Sequence, residues 1–218
     1  MVSENDIHQM YMLKVRLPPS YFKKYEDLPL CPSPRYNYSW KGKDYPRVSC
    51  VMDFQEWVTK YNLKKVGHLA YTAESDPELD LISGTQQTLL TYPPYDLHTL
   101  DHVEMYDFFL FNQTLEHLHN PFLAVQNIYR SLKPGGYVFT SVPTLNIPHM
   151  VPSHFNGFTP MGLAMMFKNC QFEVLEIGQW GNYDYIQKLF QTHSWPDYQQ
   201  LQQNGKITNE ERNVCQCW

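Results

Sequence analysis

The sequence predicts an α/β sandwich on a mostly parallel sheet, and three observations carry that reading. First, the stretch "YDFFLFNQTLEHLHNPFLAVQNIYRSLKPGGYVFTSVP", Tyr106 to Pro143, reads as strand, helix, strand; such a unit imposes a right-handed crossover and parallel strands. Second, further strand-like and helix-like segments alternate on both sides of it. Third, 218 residues with 43% hydrophobic content suffice for one substantial core rather than two equal domains.

Each element has its own warrant. Phe108 to Phe111 is a short, aromatic-rich apolar run, as a buried strand requires. Asn120 is a good N-cap, Pro121 suits the first helical position, and Phe122, Val125, Ile128, Tyr129 and Leu132 recur at helical spacing. "KPGG" closes that helix, with Lys133 in its last turn, and "YVFTSVP" is the next strand. Upstream, Asp53 to Tyr61 reads as a helix, "KKVGHLAYT" as a strand, "SDPELDLIS" as a short helix capped by Ser75 or Asp76, and "TQQTLLTYP" as a strand. Downstream, "TPMGLAMMFKN" is a helix with Thr159 as N-cap and Pro160 at its first position. "FEVLEIGQW" reads as a strand, "YDYIQKLFQ" as a helix, and "NVCQCW" as a last edge strand that stops at Trp218. An open edge there invites self-association into a homo-oligomer.

Residues 1–50 are rich in proline and tyrosine without steady periodicity and are expected to drape over the α/β domain at 51–218, in the manner of a lid over the strand ends. A net charge of −5 with no Lys/Arg stripe argues against a nucleic-acid groove. Five scattered cysteines support neither a disulfide framework nor a zinc knuckle, so a reducing, cytoplasmic setting is expected. No apolar run reaches the length of a membrane span, and no signal-like segment opens the chain, which argues against a membrane partner.

The "LEH", "NP", "LKPGG" and strand-ending proline of this stretch, followed by "HFNGFTPMGLAMMF" and "FEVLEIGQWGN", resemble the class I S-adenosylmethionine-dependent methyltransferases over Asp96 to Asn182. The resemblance implies a Rossmann-like sandwich whose sheet carries one antiparallel strand at its edge, shortened here in its first half. It also implies S-adenosylmethionine lying across the carboxyl ends of the first strands.

The donor side departs from the family pattern. Its Gly-rich first turn is replaced by "HLAYTAESDPELD", with no glycine between Gly67 and Gly84, and a brief helix and one strand fill the space before "DLHTLD". Two readings stand side by side. In one, Tyr71, Thr72, Ala73 and Glu74 form a shortened donor loop, with Tyr92, Asp96 and Leu97 flanking the adenosine and Asn112 and Gln113 lining the site with amides. In the other, the pocket has been pared away and a methyltransferase-like shell remains as a binding or scaffold protein.

On the acceptor side, Glu116 and His117 follow the central strand, while His149 and His154 lie in the loop after the next one. An imidazole there can take a proton from a hydroxyl or amine. The competing assignments are a turn cap for Glu116 and structural packing for the histidines. No metal is expected, since neither a carboxylate nor a cysteine lies near His149 and His154 in sequence. His98 and His102 are expected in solvent, and an Asx-turn is an equal alternative for Asp96. Tyr36, Tyr38, Trp40, Tyr45, Trp180 and Tyr183 are candidates for an aromatic acceptor wall. The leading expectation is methyl transfer to an oxygen or nitrogen of a small molecule or glycan. A dinucleotide oxidoreductase is disfavoured by the absence of G-x-G-x-x-G.

Overall fold

The computed structural model describes residues 45–73, 76–149, 153–180, 183–196 and 216–217. Elements run α1 (Tyr45–Lys60), β1 (Lys65–Tyr71), a 3-10 turn (Pro77–Asp80), β2 (Ser83–Leu89), β3 (Tyr106–Leu110) and a second 3-10 turn (Leu115–His117). There follow α2 (Pro121–Ser131), β4 (Leu132–Phe139), β5 (Val142–Pro143), α3 (Pro160–Asn169), β6 (Gln179–Trp180), α4 (Tyr183–Thr192) and β7 (Gln216–Cys217). Strands β2-β1-β3-β4 form a wholly parallel sheet, and β5-β7-β6 a small one in which β7 is antiparallel to both neighbours. The architecture is a Rossmann-like α/β fold. No helix among the described residues is long and apolar enough to cross a membrane.

The central strands are buried on both faces, which is why "FFLF" carries no polar alternation. Leu69, Tyr71, Phe108 and Leu110 face Phe54 and Val58 of α1 together with Tyr185 and Leu189 of α4. Ala70, Phe109 and Phe111 face Val125 and Ile128 of α2 and Leu163 and Phe167 of α3. Both proline-led helices open on the caps expected of them: Asn120 Oδ1 accepts the Leu123 amide at 3.2 Å and Thr159 Oγ1 accepts that of Gly162 at 3.1 Å. In α2 the buried face centres on Ala124, Val125 and Ile128, leaving Phe122 and Tyr129 at its margin.

Several elements differ from the sequence reading. α1 opens at Tyr45 rather than Asp53, and the segment before it lies outside the described residues. "SDPELDLIS" closes only a 3-10 turn, in which the Asp76 side chain makes no cap hydrogen bond. α2 ends at Ser131, so Lys133 is not in its last turn but in β4. There Leu132 pairs with Tyr106 and Tyr137 with Phe108, so "KPGG" bulges out of the ladder, with Gly135 at φ +79°.

Of "FEVLEIGQW" only Gln179–Trp180 is a strand. The preceding segment is held instead through Glu176, whose Oε1 takes the Lys60 ammonium and, at 2.9 Å, the Tyr61 hydroxyl. β4 therefore keeps an unpaired flank among the described residues, along which runs a groove of about 700 Å³ lined by Phe54, Trp57, Tyr137, Phe139, Phe167 and Ile177. The last strand, Gln216–Cys217, does not lie at an edge but sits between β5 and β6.

Lys133 in β4 has a specific partner. Asp107 Oδ2 accepts the His68 amide at 2.6 Å and the Lys133 ammonium at 2.8 Å, pinning β1, β3 and β4 at their lower ends. Gly67 makes room for that carboxylate, since a Cβ there would lie 2.3 Å from Oδ2. We expect Gly67→Ala to cost about 1–2 kcal/mol in urea unfolding, and to cost clearly less in an Asp107→Ala background where the obstruction is gone; equal costs in both backgrounds would refute the contact.

The Lys133 and His68 hydrogen bonds outweigh partial burial and hold the Asp107 carboxyl below its ordinary value. Because the folded value is the depressed one, this contribution is complete above about pH 4 and lost as the pH falls through the folded value. Asp107→Asn should therefore show a shallower loss of stability than the parent across that acid window.

Candidate active site

The ends of β1 and β3 lie side by side, with Tyr71 paired to Leu110. Beyond them the Thr72 amide donates to the Leu110 carbonyl at 3.2 Å. The Thr72 and Thr114 hydroxyls meet at 3.1 Å, and the Thr114 hydroxyl donates to the Asn112 carbonyl at 2.9 Å. With the Thr114 proton committed, the Thr72 hydroxyl is the donor between the two.

The Asn112 side chain is 2% exposed, and neither of its amide atoms has a hydrogen-bond partner among the described residues. A buried primary amide in that state costs free energy unless something supplies its partners. A ligand with hydrogen-bonding groups at the strand ends would do so, and the donor molecule implied by the fold has such groups. The Thr72 and Thr114 hydroxyls, linked to the Asn112 main-chain carbonyl, fit it equally well.

The other expected donor residues are dispersed. Tyr71 is buried in the core with Phe54 and Leu79, which leaves small Thr72 and Ala73 at the strand end, and Glu74 lies outside the described residues. Gln113 adopts φ +49° and its side-chain amide turns to Ser141, donating to the carbonyl at 3.0 Å and to Oγ at 3.2 Å. Tyr92 is 65% exposed. Leu97 is buried, and its carbonyl accepts the amide of Asn127.

Asp96 forms the Asx-turn: its Oδ1 accepts the His98 amide at 2.9 Å and meets His98 Nδ1 at 2.7 Å. Partial burial pushes the Asp96 carboxyl up, but the two bonds from His98 outweigh it and leave it below its ordinary value. His98 is not in solvent as expected. It stacks on His119 at 4.1 Å and its Nε2 accepts the Asn120 amide. His102 is half-buried as well, with Nδ1 2.6 Å from the Tyr106 hydroxyl. Tyr36, Tyr38 and Trp40 lie outside the described residues, as do the side chains of Tyr45, Trp180 and Tyr183.

On the acceptor side the structure gathers what the sequence scattered. The 3-10 turn Leu115–His117 and the loop around Ser153–Asn156 are stitched by backbone bonds: the Glu116 carbonyl accepts the Phe155 amide at 2.7 Å, and Asn156 Nδ2 donates to the Leu118 carbonyl at 2.7 Å. His117 Nδ1 donates to the Ser153 carbonyl at 2.8 Å, which directs Nε2 to within 3.8 Å of the fully buried Glu116 carboxylate. The rings of His117 and His149 are 4.9 Å apart, those of His149 and His154 4.7 Å, and Trp195 packs edge-on against His149. All four expected catalytic residues thus form one cluster.

Thr114, Asn127, Ser153 and Asn156 do the positioning and were not singled out in the sequence, whereas Thr72 was, as part of the donor loop. Only the placement of Thr114 just past a strand end could have marked it.

With this geometry in view, comparison with known proteins decides the family. A family model described as a methyltransferase domain matches residues 42–195. The chain belongs to the class I S-adenosylmethionine-dependent methyltransferase family.

Among proteins of curated function, none matches in sequence. Solved structures similar in fold include the 4+2 cyclase SpnF, at 14% identity and a TM-score of 0.44 over 59% of each chain. A Clostridium acetobutylicum S-adenosylmethionine-dependent methyltransferase is similar at 7% identity and 0.45, over 64% of this chain and 86% of that one. Haemonchus contortus phosphoethanolamine N-methyltransferase 2, in complex with S-adenosyl-L-methionine, is similar at 10% identity and 0.48, over 81% and 53%. This chain therefore spans little more than half the length of the first and third.

Burial foremost lowers the pKa of His117, the neighbouring histidines adding to it against the Ser153 carbonyl; burial and His149 likewise lower that of His154 against the Asn156 carbonyl. In metal-free protein the C2 protons of both rings should accordingly titrate by NMR below the ordinary value of about 6.5. A midpoint at or above that value for either ring would contradict the buried arrangement.

Proposed function

We propose that the chain transfers the methyl group of S-adenosylmethionine to an oxygen or nitrogen of a small molecule or glycan, with Glu116, His117, His149 and His154 forming the acceptor side of the site. The observation that carries this reading is the convergence of those four residues, from two loops distant in sequence, just past the carboxyl end of β3. Ligands of parallel α/β sheets are held at that end. A small or sugar acceptor is favoured over nucleic acid by the net charge of −5.

When bound, S-adenosylmethionine supplies an electrophilic methyl on a sulfonium that is its own leaving group. What remains for the chain is binding, alignment, exclusion of water and handling of one proton. The Asn112 amide and the hydroxyls of Thr72 and Thr114 would hold the donor's polar groups, with Ala73 giving room beside them. Asp96 and Leu97 anchor the adjoining loop, which Asn127 of α2 clasps through the carbonyls of Leu97 and His98. The Nε2 lone pair of His117 or His149 accepts a hydrogen bond from the acceptor's hydroxyl or amine and takes up its proton, with His154 holding His149 in place. Glu116 beside them favours the charge this creates on His117.

The test is titration calorimetry with S-adenosylmethionine and S-adenosylhomocysteine. We expect micromolar affinity, roughly −8 kcal/mol, and no heat at millimolar ligand would favour the scaffold reading instead. Asn112→Leu should leave the free protein as stable or stabler, because it removes an unmatched buried amide, yet weaken S-adenosylhomocysteine binding about tenfold. Unaltered binding in that variant would remove Asn112 from the donor site. In methyl-transfer assays over a panel of hydroxylated and amine acceptors, His117→Ala should lower kcat by about a hundredfold or more while sparing product affinity.

A further inference from the structure

We infer that Glu116, His117 and His149 form a binding site for a divalent transition-metal ion of the zinc type. One carboxylate oxygen and one ring nitrogen from each histidine lie within 4.8 Å of one another. Around Zn²⁺, with bonds of about 2.0–2.2 Å, tetrahedral ligand atoms stand roughly 3.3 Å apart. The 3.8 Å between Glu116 Oε1 and His117 Nε2 is close to that spacing. The remaining separations close by rotation of His149, which is half-buried on a loop rather than locked in the core.

The hydrogen bonds behind the ligands are those such a site needs. His117 donates Nδ1–H to the Ser153 carbonyl at 2.8 Å, which leaves the Nε2 lone pair toward Glu116. His154 donates Nε2–H to the Asn156 carbonyl at 3.1 Å, so its Nδ1 is an acceptor. That atom lies 3.1 Å from His149 Nδ1, which also approaches the Ile147 carbonyl at 3.2 Å. His149 Nδ1 must therefore carry the proton, shared between these acceptors, and its Nε2 is the nitrogen free to ligate. Fixing each ligand histidine by an N–H bond on its far nitrogen is the usual outer arrangement of a metal site. The Ser153 and Asn156 carbonyls belong to the stitched Ser153–Asn156 loop and the third is that of Ile147, so the outer shell is held by main chain.

Two histidines and a carboxylate select Zn²⁺ and its spectroscopic substitute Co²⁺ over Mg²⁺ or Ca²⁺, which prefer all-oxygen shells. Three protein ligands leave a fourth position for water or an oxygen of the acceptor. An ion here would take the Nε2 lone pairs that the metal-free cluster offers as proton acceptors, so the two are alternative states of these histidines. Cation binding is read without donor or acceptor and stands or fails separately from methyl transfer.

The experiment is titration of chelator-treated, tag-free protein with Zn²⁺ by calorimetry and with Co²⁺ by visible absorption. One equivalent should bind, with the intense d–d bands of a four-coordinate nitrogen and oxygen set and no thiolate charge-transfer band. His149→Gln, chosen because Glu116→Gln alters a fully buried carboxyl group and can prevent folding, should weaken binding at least tenfold with an unchanged metal-free far-UV spectrum. Cys215→Ser/Cys217→Ser should bind as the parent does. The proposal is overturned if no ion binds, if binding survives His149→Gln intact, or if it disappears with the two cysteines.

Discussion

The pairing of β1 with β3 is the constraint on which everything else rests. β2 lies on one side of β1 and β3 on the other, so the chain reverses its direction of travel across the sheet between these two strands. In parallel sheets a crevice opens at that reversal, beyond the carboxyl ends. The register brings Tyr71 level with Leu110, so Thr72 stands level with Phe111, one residue before Asn112, in segments that are distant in sequence. Double-sided burial of Leu69 to Tyr71 and Phe108 to Phe111 makes slippage costly, because a one-residue shift would exchange the residues facing α1 and α4 for those facing α2 and α3.

The histidine cluster depends on that pairing at one remove. Once β3 is fixed, the 3-10 turn after it places Glu116 and His117, and β4 and β5 deliver the next loop to the same end of the sheet. The backbone bonds from Phe155 and Asn156 to Glu116 then set the loop's depth. Side chains therefore meet there because main chain has already met, the condition under which a site keeps its geometry without a ligand.

Locally determined features were legible in the sequence. Asn120-Pro121 and Thr159-Pro160 announce helix starts because the cap and its acceptor are within three residues of each other. The apolar run at Phe108 announces a strand buried on both faces. "FEVLEIG" misled because a strand requires a partner, and the residues that might have paired β4 are held by Glu176 on Lys60 and Tyr61 instead. The four acceptor-side residues were legible as types, but their proximity was not: no spacing rule connects Glu116 to His149, and a search for a carboxylate near the histidines in sequence missed one supplied by another loop. Gln113 was misjudged for a related reason, since its positive φ, which turns the side chain to Ser141, leaves no trace in composition.

The glycines of this methyltransferase fold are missing from its first turn. They are spent lower in the sheet. Gly67 admits the Asp107 carboxylate, and a Cβ on Gly84 would come within 2.8 Å of the Leu69 Cβ and 2.4 Å of the Gln86 carbonyl oxygen. Both allow close contact beside β1, so the sheet's base is tight. At its top, Tyr71 turns inward to the core, and the strand ends carry the Thr72 and Thr114 hydroxyls and the buried Asn112 amide where the family pattern has glycine backbone. Recognition by side chains is more exacting than recognition by a glycine turn, since each hydroxyl must be oriented by another group. The chain from Thr72 to Thr114 to the Asn112 carbonyl supplies that orientation and fixes the direction of every proton in it. Asn112 is the member left with capacity to spare, since its buried side-chain amide has no hydrogen-bond partner among the described residues and so carries a desolvation cost.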